Sequence, residues 1–368
     1  MFDDGKPYKC ELEYIESTRT QWVDTGYVPN GSETIVVSGA MMGTASTGGL
    51  FGSVGTSGAD VWLAASASAA TFAAQWGSTV RVTSKTFDTS NHVFENGLTT
   101  GLWCDGVKLA DFGSNSQAYG KTIALFMRNS STRALARISR FYIEGVIDLI
   151  PVLDNSGVAC MYDRVSGKLF YNAGTGDFVA GPEIHAVEYI ESSGTQGILT
   201  DIYTDANTAI KCKASGTSGS FFGVLPSSRS AWWTILPNDS GKLRYYYGGS
   251  SATDVATIDA TIPHDYQCSN KVLVDGVEAI SLSRTLSSAN VPLSLFARTA
   301  SSGTSFTSLL VGRMWYLQVI QSGATVRDFR AIRVGSGSTW EGAMLDTVER
   351  KVYRNAGTGA FTYGPDTN

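Results

Sequence analysis

Two kinds of chemistry are worth seeking first among the side chains of this chain: acid–base work by paired carboxylates, and metal binding by His and Cys. Glycoside hydrolysis requires two carboxylates held at a fixed separation. The densest acidic group is Glu11, Glu13 and Glu16, and only Glu13 and Glu16 come back further along, as Glu188 and Glu191. They are expected as solvated charges or as strand-edge charges, which discourage sheet-to-sheet pairing. Three histidines, His92, His185 and His264, are too few and too dispersed to predict a zinc site. Five cysteines, Cys10, Cys104, Cys160, Cys212 and Cys268, show no close pair spacing and are expected as buried thiols. The chain has no nucleophile elbow and no phosphate-cradling glycine loop, so no enzyme is expected.

The residues that remain are aromatic, and their meaning depends on the elements that carry them. LEYIESTRTQ from Leu12 returns as VEYIESSGTQ from Val187, identical at seven of ten positions. CDGVKL from Cys104 is matched by VDGVEA from Val274, and LFMR from Leu125 by LFAR from Leu295. MYDRVSGKLFYNAGTG from Met161 corresponds to MLDTVERKVYRNAGTG from Met344. Opening, middle and closing segments keep one order, which is the signature of a duplication. The boundary falls at AGPEIH, giving an arm over 1–9 and two domains over 10–182 and 183–368, each large enough to bury its own core.

Each half reads as short strands. Asp-Gly in both copies predicts a two-residue hairpin turn. RISRFYIEG from Arg137 alternates so that Phe141 and Ile143 share a face, and the second copy sets Trp315 and Leu317 at those places. LAASASAATFAAQW from Leu63 has helical propensity, but its counterpart carries Pro237 and the turn cluster Asn238 to Gly241, so strand, turn, strand is predicted in both. The two glycines of NAGTG are expected to supply positive φ where each domain closes. Many short strands without a long helix predict an all-β double-sheet sandwich.

With that frame the aromatic residues can be sorted. A sugar-binding surface offers aromatic faces to the apolar side of a pyranose, with amides or carboxylates for its hydroxyls. Rings present in both copies are expected in the core: Trp315 with Phe141, Trp76 with Tyr247, and Trp62 beside Trp232 and Trp233. Rings without a counterpart are the candidates for ligand contact: Trp103 and Trp340, and the extra rings of Trp233, Tyr245 and Tyr246 in the second copy.

A net charge of −5 with scattered Lys and Arg gives a nucleic acid no electrostatic footprint. The chain has no apolar run of the roughly 18 residues a membrane helix needs, and no membrane insertion is expected. The start, MFDDGKPYKC, has no apolar signal region, so the expectation is either that the protein is not exported by the general route or that a leader has been lost.

LEYIESTRTQWVDTG and GVACMYDRVSGKLFYNAGTGDFVAGP resemble the LamG-like, concanavalin A-like jelly-roll domains of phage and prophage structural proteins. The resemblance covers both halves and is weakest at IRVGSGSTWEGAML in the second. It implies two tandem jelly rolls on a virion surface, made in the host cytoplasm. Its implied partners are host-surface carbohydrate, other virion proteins, or further copies of the chain. Jelly-roll glycosidases commonly carry Glu-x-Asp-x-x-Glu on one strand, a spacing this chain lacks. LamG-like domains often hold calcium, for which Asp60, Asp105, Asp239 and Asp275 are available. Asp105 and Asp275 are accounted for as turn formers, and no metal or other cofactor is assigned.

Overall fold

The computed structural model describes residues 5–43, 48–53, 60–66, 71–86, 88–113, 120–129, 132–238 and 240–367. The chain divides into two compact units, Met1–Ile184 and His185–Asn368. Tyr8 and Lys9, assigned to an arm on sequence grounds, instead open the strand Tyr8–Leu12, where Tyr8 faces Asp154.

Each unit is an antiparallel jelly-roll sandwich, and the strand order is the same in both. In the first unit the main sheet runs Val107–Ala110, Gly101–Cys104, His92–Gly97, Thr34–Met41, Leu135–Ile143. The far edge of Leu135–Ile143 is shared by Ile15–Thr18 and Ile147–Asp154, and Ala159–Asp163 and Leu169–Phe170 follow. Its second sheet runs Val23–Asp24, Ala124–Leu125, Gly49–Ser53, Asp60–Ser66, Thr71–Gly77, Thr79–Thr86.

The second unit repeats this order with Val277–Ser281, Lys271–Val274, His264–Cys268, Thr208–Ser218, Val311–Gln321. Ile190–Ser193 and Ala324–Ser336 share the next edge, followed by Thr339–Asp346 and Lys351–Tyr353. Its second sheet is Ile198–Leu199, Ser294–Leu295, Phe222–Val224, Trp233–Pro237, Lys242–Tyr247, Thr253–Asp259.

The period of two explains which face goes inward. In Thr208–Ser218, Ile210, Cys212 and Ala214 are buried while Lys211 and Lys213 point out. Each unit has a core drawn from its own residues, one around Phe51, Trp76, Phe94 and Phe141, the other around Phe222, Trp233, Tyr266 and Phe296. The Ala-rich stretch forms the strands Asp60–Ser66 and Thr71–Gly77, and its turn falls outside the described residues. Asp105 and Gly106, with φ of 50° and 75°, and Asp275 and Gly276, with 51° and 82°, adopt the left-handed geometry of a type I′ hairpin turn.

Opening and closing motifs recur because they are two halves of one clasp. The Asn172 Oδ1 accepts the amides of Trp22 and Gly174 at 3.1 and 2.8 Å, and Asn355 Oδ1 those of Gly197 and Gly357 at 3.0 and 2.8 Å. From the other side, buried Gln21 donates to the Asp177 carbonyl at 2.9 Å and Gln196 to that of Ala360 at 3.1 Å. Only the second glycine of each NAGTG has positive φ, 70° at Gly176 and 74° at Gly359. The first is required by crowding: a Cβ on Gly174 would lie 2.0 Å from the Thr20 carbonyl oxygen, and one on Gly357 2.3 Å from that of Thr195.

Candidate functional site

The outer face of the main sheet carries a common frame in both units. Tyr14 lies under the Arg137 guanidinium at 4.3 Å, and Arg137 Nε binds Glu16 at 2.6 Å. Tyr189, Arg313 and Glu191 repeat this at 4.5 and 3.3 Å. Glu16 and Glu191 thus tie neighbouring strands together, while Glu188 is an exposed charge, one of the two roles expected of this group.

On this frame the second unit adds two rings, Trp315 and Tyr316. Met314 faces Ala214 and Tyr316 faces Lys213, leaving Trp315 unpaired in a bulge. In the first unit Ile138 faces Gly39 and Arg140 faces Ser38, leaving Ser139 in the same position. The residue equivalent to Phe141 is therefore Leu317, which faces Cys212 as Phe141 faces Val37, and both are fully buried. The placement of Trp315 on the core face is corrected: it is half-buried and turned outward. A bulge adds one residue to one strand, which alternation of apolar residues cannot register.

Trp315 has Tyr189 beside it at 5.3 Å and the Lys213 ammonium 5.4 Å from its ring centroid, and its indole N–H donates to Glu188 Oε1 at 3.4 Å. The next ring, Tyr316, donates its hydroxyl to Asp265 at 2.7 Å and lies under Arg330 at 5.2 Å. Burial, and then the carboxylate it donates to, push the Tyr316 phenol up, so it stays a donor at every physiological pH. Three half-buried rings, two of them phenols, with two carboxylates and an ammonium around them offer both an apolar plane and polar groups of both signs.

The five rings singled out from the sequence divide. Trp233 and Tyr245 are fully buried, the indole N–H donating to the Tyr245 hydroxyl at 2.7 Å and that hydroxyl to the Ser269 carbonyl at 2.5 Å, so neither is a contact residue. They differ from the first copy because the second core is filled with rings that satisfy each other's polar atoms. Tyr246 is half-buried on the outer face of the second sheet opposite Thr234. Trp103 and Trp340 are half-buried and each folds onto its own hairpin. Trp103 donates to the Thr100 carbonyl at 2.7 Å under Lys108, and Trp340 to the Gly337 carbonyl at 2.9 Å under Arg333. Within the second unit, Trp340 packs against His185 at 5.2 Å, whereas Trp315 packs against Tyr189. Sorting rings by copy finds Trp315 only once the register that the bulge sets is applied.

A second cluster, again confined to the second unit, is charged. Asp201 binds Lys351 at 2.7 Å and the Tyr353 hydroxyl at 2.9 Å, while Arg327 reaches Asp346 at 3.3 Å and also pairs with Glu349. By strand pairing, Ile147 and Phe170 of the first unit stand where the second has Arg327 and Tyr353. Burial pushes the Glu349 carboxyl up to about 7 against the pull of Arg327, and raises Asp346 too. Asp201 is held low by Lys351 and the Tyr353 hydroxyl although burial works the other way.

Asp105 and Asp275 fill the turn role expected of them, each Oδ1 accepting an amide at 3.0 Å, from Val93 and Asp265. Asp60 begins a strand opposite Gly77, and Asp239 lies outside the described residues. All five thiols are buried and outside any disulfide, as expected of them.

No family model and no curated protein matches the sequence. Among solved structures, the mouse laminin alpha1 chain, domains LG4-5, is similar over 99% of this chain and 97% of that one, at 11% identity and a TM-score of 0.31.

Proposed function

We propose that this chain is a non-enzymatic binding protein carried on the outside of a phage particle, and that the outer face around Trp315 contacts host-surface carbohydrate. The observation that supports a ligand here is the copy-specific indole on the bulge. The fold needs only Ser139 at the equivalent place, so Trp315 serves something other than the sandwich. Glu188, Lys213 and Asp265 supply the hydrogen-bonding groups a sugar ring requires beside an aromatic plane. The non-enzymatic part is supported by the charged cluster, whose Asp201, Asp346 and Glu349 are all engaged by Arg327, Lys351 or Tyr353.

A glycan array followed by fluorescence titration of the full chain tests this reading. A saccharide is expected to quench indole emission, and Trp315→Ala to weaken its binding by about tenfold, roughly 1.4 kcal/mol. Trp315→Ser, the residue type of the first unit, keeps the sandwich folded and separates lost contact from lost structure. Absence of saturable glycan binding, or binding indifferent to Trp315, would defeat the sugar reading and favour other virion proteins as the partner.

A further inference from the structure

The histidines looked too scattered for metal, yet the first unit's hairpin brings one of them to a cysteine and two aspartates. His92 opens the strand His92–Gly97, and Cys104 ends its antiparallel partner Gly101–Cys104, just before the turn residue Asp105. His92 Nδ1 lies 2.6 Å from Asp105 Oδ2, and Cys104 Sγ lies 3.5 Å from the same oxygen. The three donor atoms are all within 4.8 Å of one another. The far ring nitrogen, Nε2, faces Asp88 Oδ1 at 3.1 Å.

The second unit separates what the turn needs from what it does not. His264 Nδ1 and Asp275 Oδ2 are also 2.6 Å apart, so the His–Asp contact belongs to the hairpin in both copies. Val274, however, stands where the first unit has Cys104, and His264 Nε2 faces the Asp259 backbone carbonyl instead of a carboxylate. The thiol and the second carboxylate are additions peculiar to the first unit. Together they complete a recognisable donor set: an imidazole nitrogen, a sulfur and a carboxylate oxygen converging, with a carboxylate to take the imidazole's other N–H.

We propose that the first unit binds one Zn²⁺ through His92 Nδ1, Cys104 Sγ and Asp105 Oδ2, with Asp88 orienting the imidazole and a fourth position open to water. The thiol gives up its proton to solvent water as the Zn–S bond forms, and a neutral ring keeps its single proton on Nε2, donated to Asp88. Two ligands about 2.0 Å from a tetrahedral ion sit about 3.3 Å apart, so the Nδ1–Oδ2 separation must open by roughly 0.7 Å. Asp105 can make that rotation, because its side chain is 43% exposed, and the same exposure gives the ion its way in. His92 and Cys104 are buried, which fixes their donor atoms before metal arrives. This inference is independent of the sugar reading: it concerns the other unit and uses none of the same residues.

The test is titration of the full chain with Zn²⁺ against a chromophoric chelator, with Co²⁺ as a spectroscopic probe. One Zn²⁺ per chain is expected, and the Co²⁺ adduct should show a thiolate-to-metal charge-transfer band. Cys104→Val, a residue the second unit already carries at the equivalent place, should remove that band and weaken Zn²⁺ binding at least tenfold while leaving metal-free thermal unfolding in place. Asp88→Asn should weaken binding by about tenfold without removing the band. Lack of saturable one-to-one binding, Co²⁺ spectra without the thiolate band, or Zn²⁺ affinity unchanged in Cys104→Val would each overturn the assignment.

Discussion

Asn172 and Asn355 show how much a single side chain does in this chain: each amide oxygen receives two backbone N–H groups from different segments, and each amide nitrogen donates to a glycine carbonyl, Gly176 at 2.6 Å and Gly359 at 2.8 Å. The two glycines of the motif answer to different forces, and substitution can tell them apart. Gly176→Ala places a Cβ in the left-handed region, which costs an ordinary residue roughly 1–2 kcal/mol. Gly174→Ala escapes that cost but must push the backbone away from the Thr20 carbonyl, a distortion worth about 1–3 kcal/mol by itself, and it opens the clasp. Chemical denaturation should therefore rank Gly174→Ala as the more damaging change, with the same order for Gly357→Ala over Gly359→Ala. The reverse order would show that the turn, and not the close approach, sets the glycine requirement. At this scale the sequence is a partial guide: it marks the repeated motifs, but only the fold reveals that opening and closing segments bond to each other across about 150 residues.

Among the elements, the hairpins were legible and the bulges were not. Asp-Gly is a local signal, and both turns have the left-handed pair it predicts. Asp275 adds to that local preference by accepting the Asp265 amide and by facing His264 Nδ1 at 2.6 Å. Asp275→Ala should lower the stability of the second unit by about 1–3 kcal/mol, through the left-handed φ and the abandoned contacts. Asp275→Asn, which tolerates that φ and keeps an acceptor, should recover most of it. Denaturation midpoints showing Ala and Asn equal would argue that backbone geometry alone carries the effect. The strand read from RISRFYIEG was right where its two-residue period ran unbroken, Phe141 and Ile143 sharing the buried face of Leu135–Ile143. Trp315 was misplaced because one unpaired residue reverses the sense of in and out for the rest of its strand. Trp233 and Tyr245 were misplaced for another reason: their hydrogen bond lets two polar-tipped rings enter the core, and no local pattern announces a partner twelve residues away. The His92 cluster was missed on the same account, since spacing along the chain says nothing until the hairpin register is known.

For the molecule as a whole, the repeated strand order and the two separate cores argue that each unit holds its own stability, and the charged cluster provides a way to see it. Glu349 has its carboxyl raised from 4.5 to about 7, chiefly by burial. A carboxyl raised by folding favours the folded state when protonated, so its contribution is complete below about 4.5 and is lost as pH rises through about 7. Glu349→Gln fixes the side chain in a neutral form. Relative to the parent, this variant should gain stability between pH 5 and pH 8, by about 1–3 kcal/mol. The pull of Arg327 arises only as Glu349 ionises and is already contained in the carboxyl's raised position, while pH-independent effects of the substitution cancel when the two pH values are compared. The effect should also be confined to one part of the thermogram. Calorimetry of the full chain is expected to depart from a single two-state transition, and only the component belonging to the second unit should move with Glu349→Gln. The first unit carries Ser166, Ile147 and Phe170 in the equivalent places and should unfold at the same temperature in both proteins. A single cooperative transition that shifts as one would show that the halves unfold together despite their separate interiors. A variant whose advantage shrinks as pH rises would show that Arg327, rather than burial, governs Glu349.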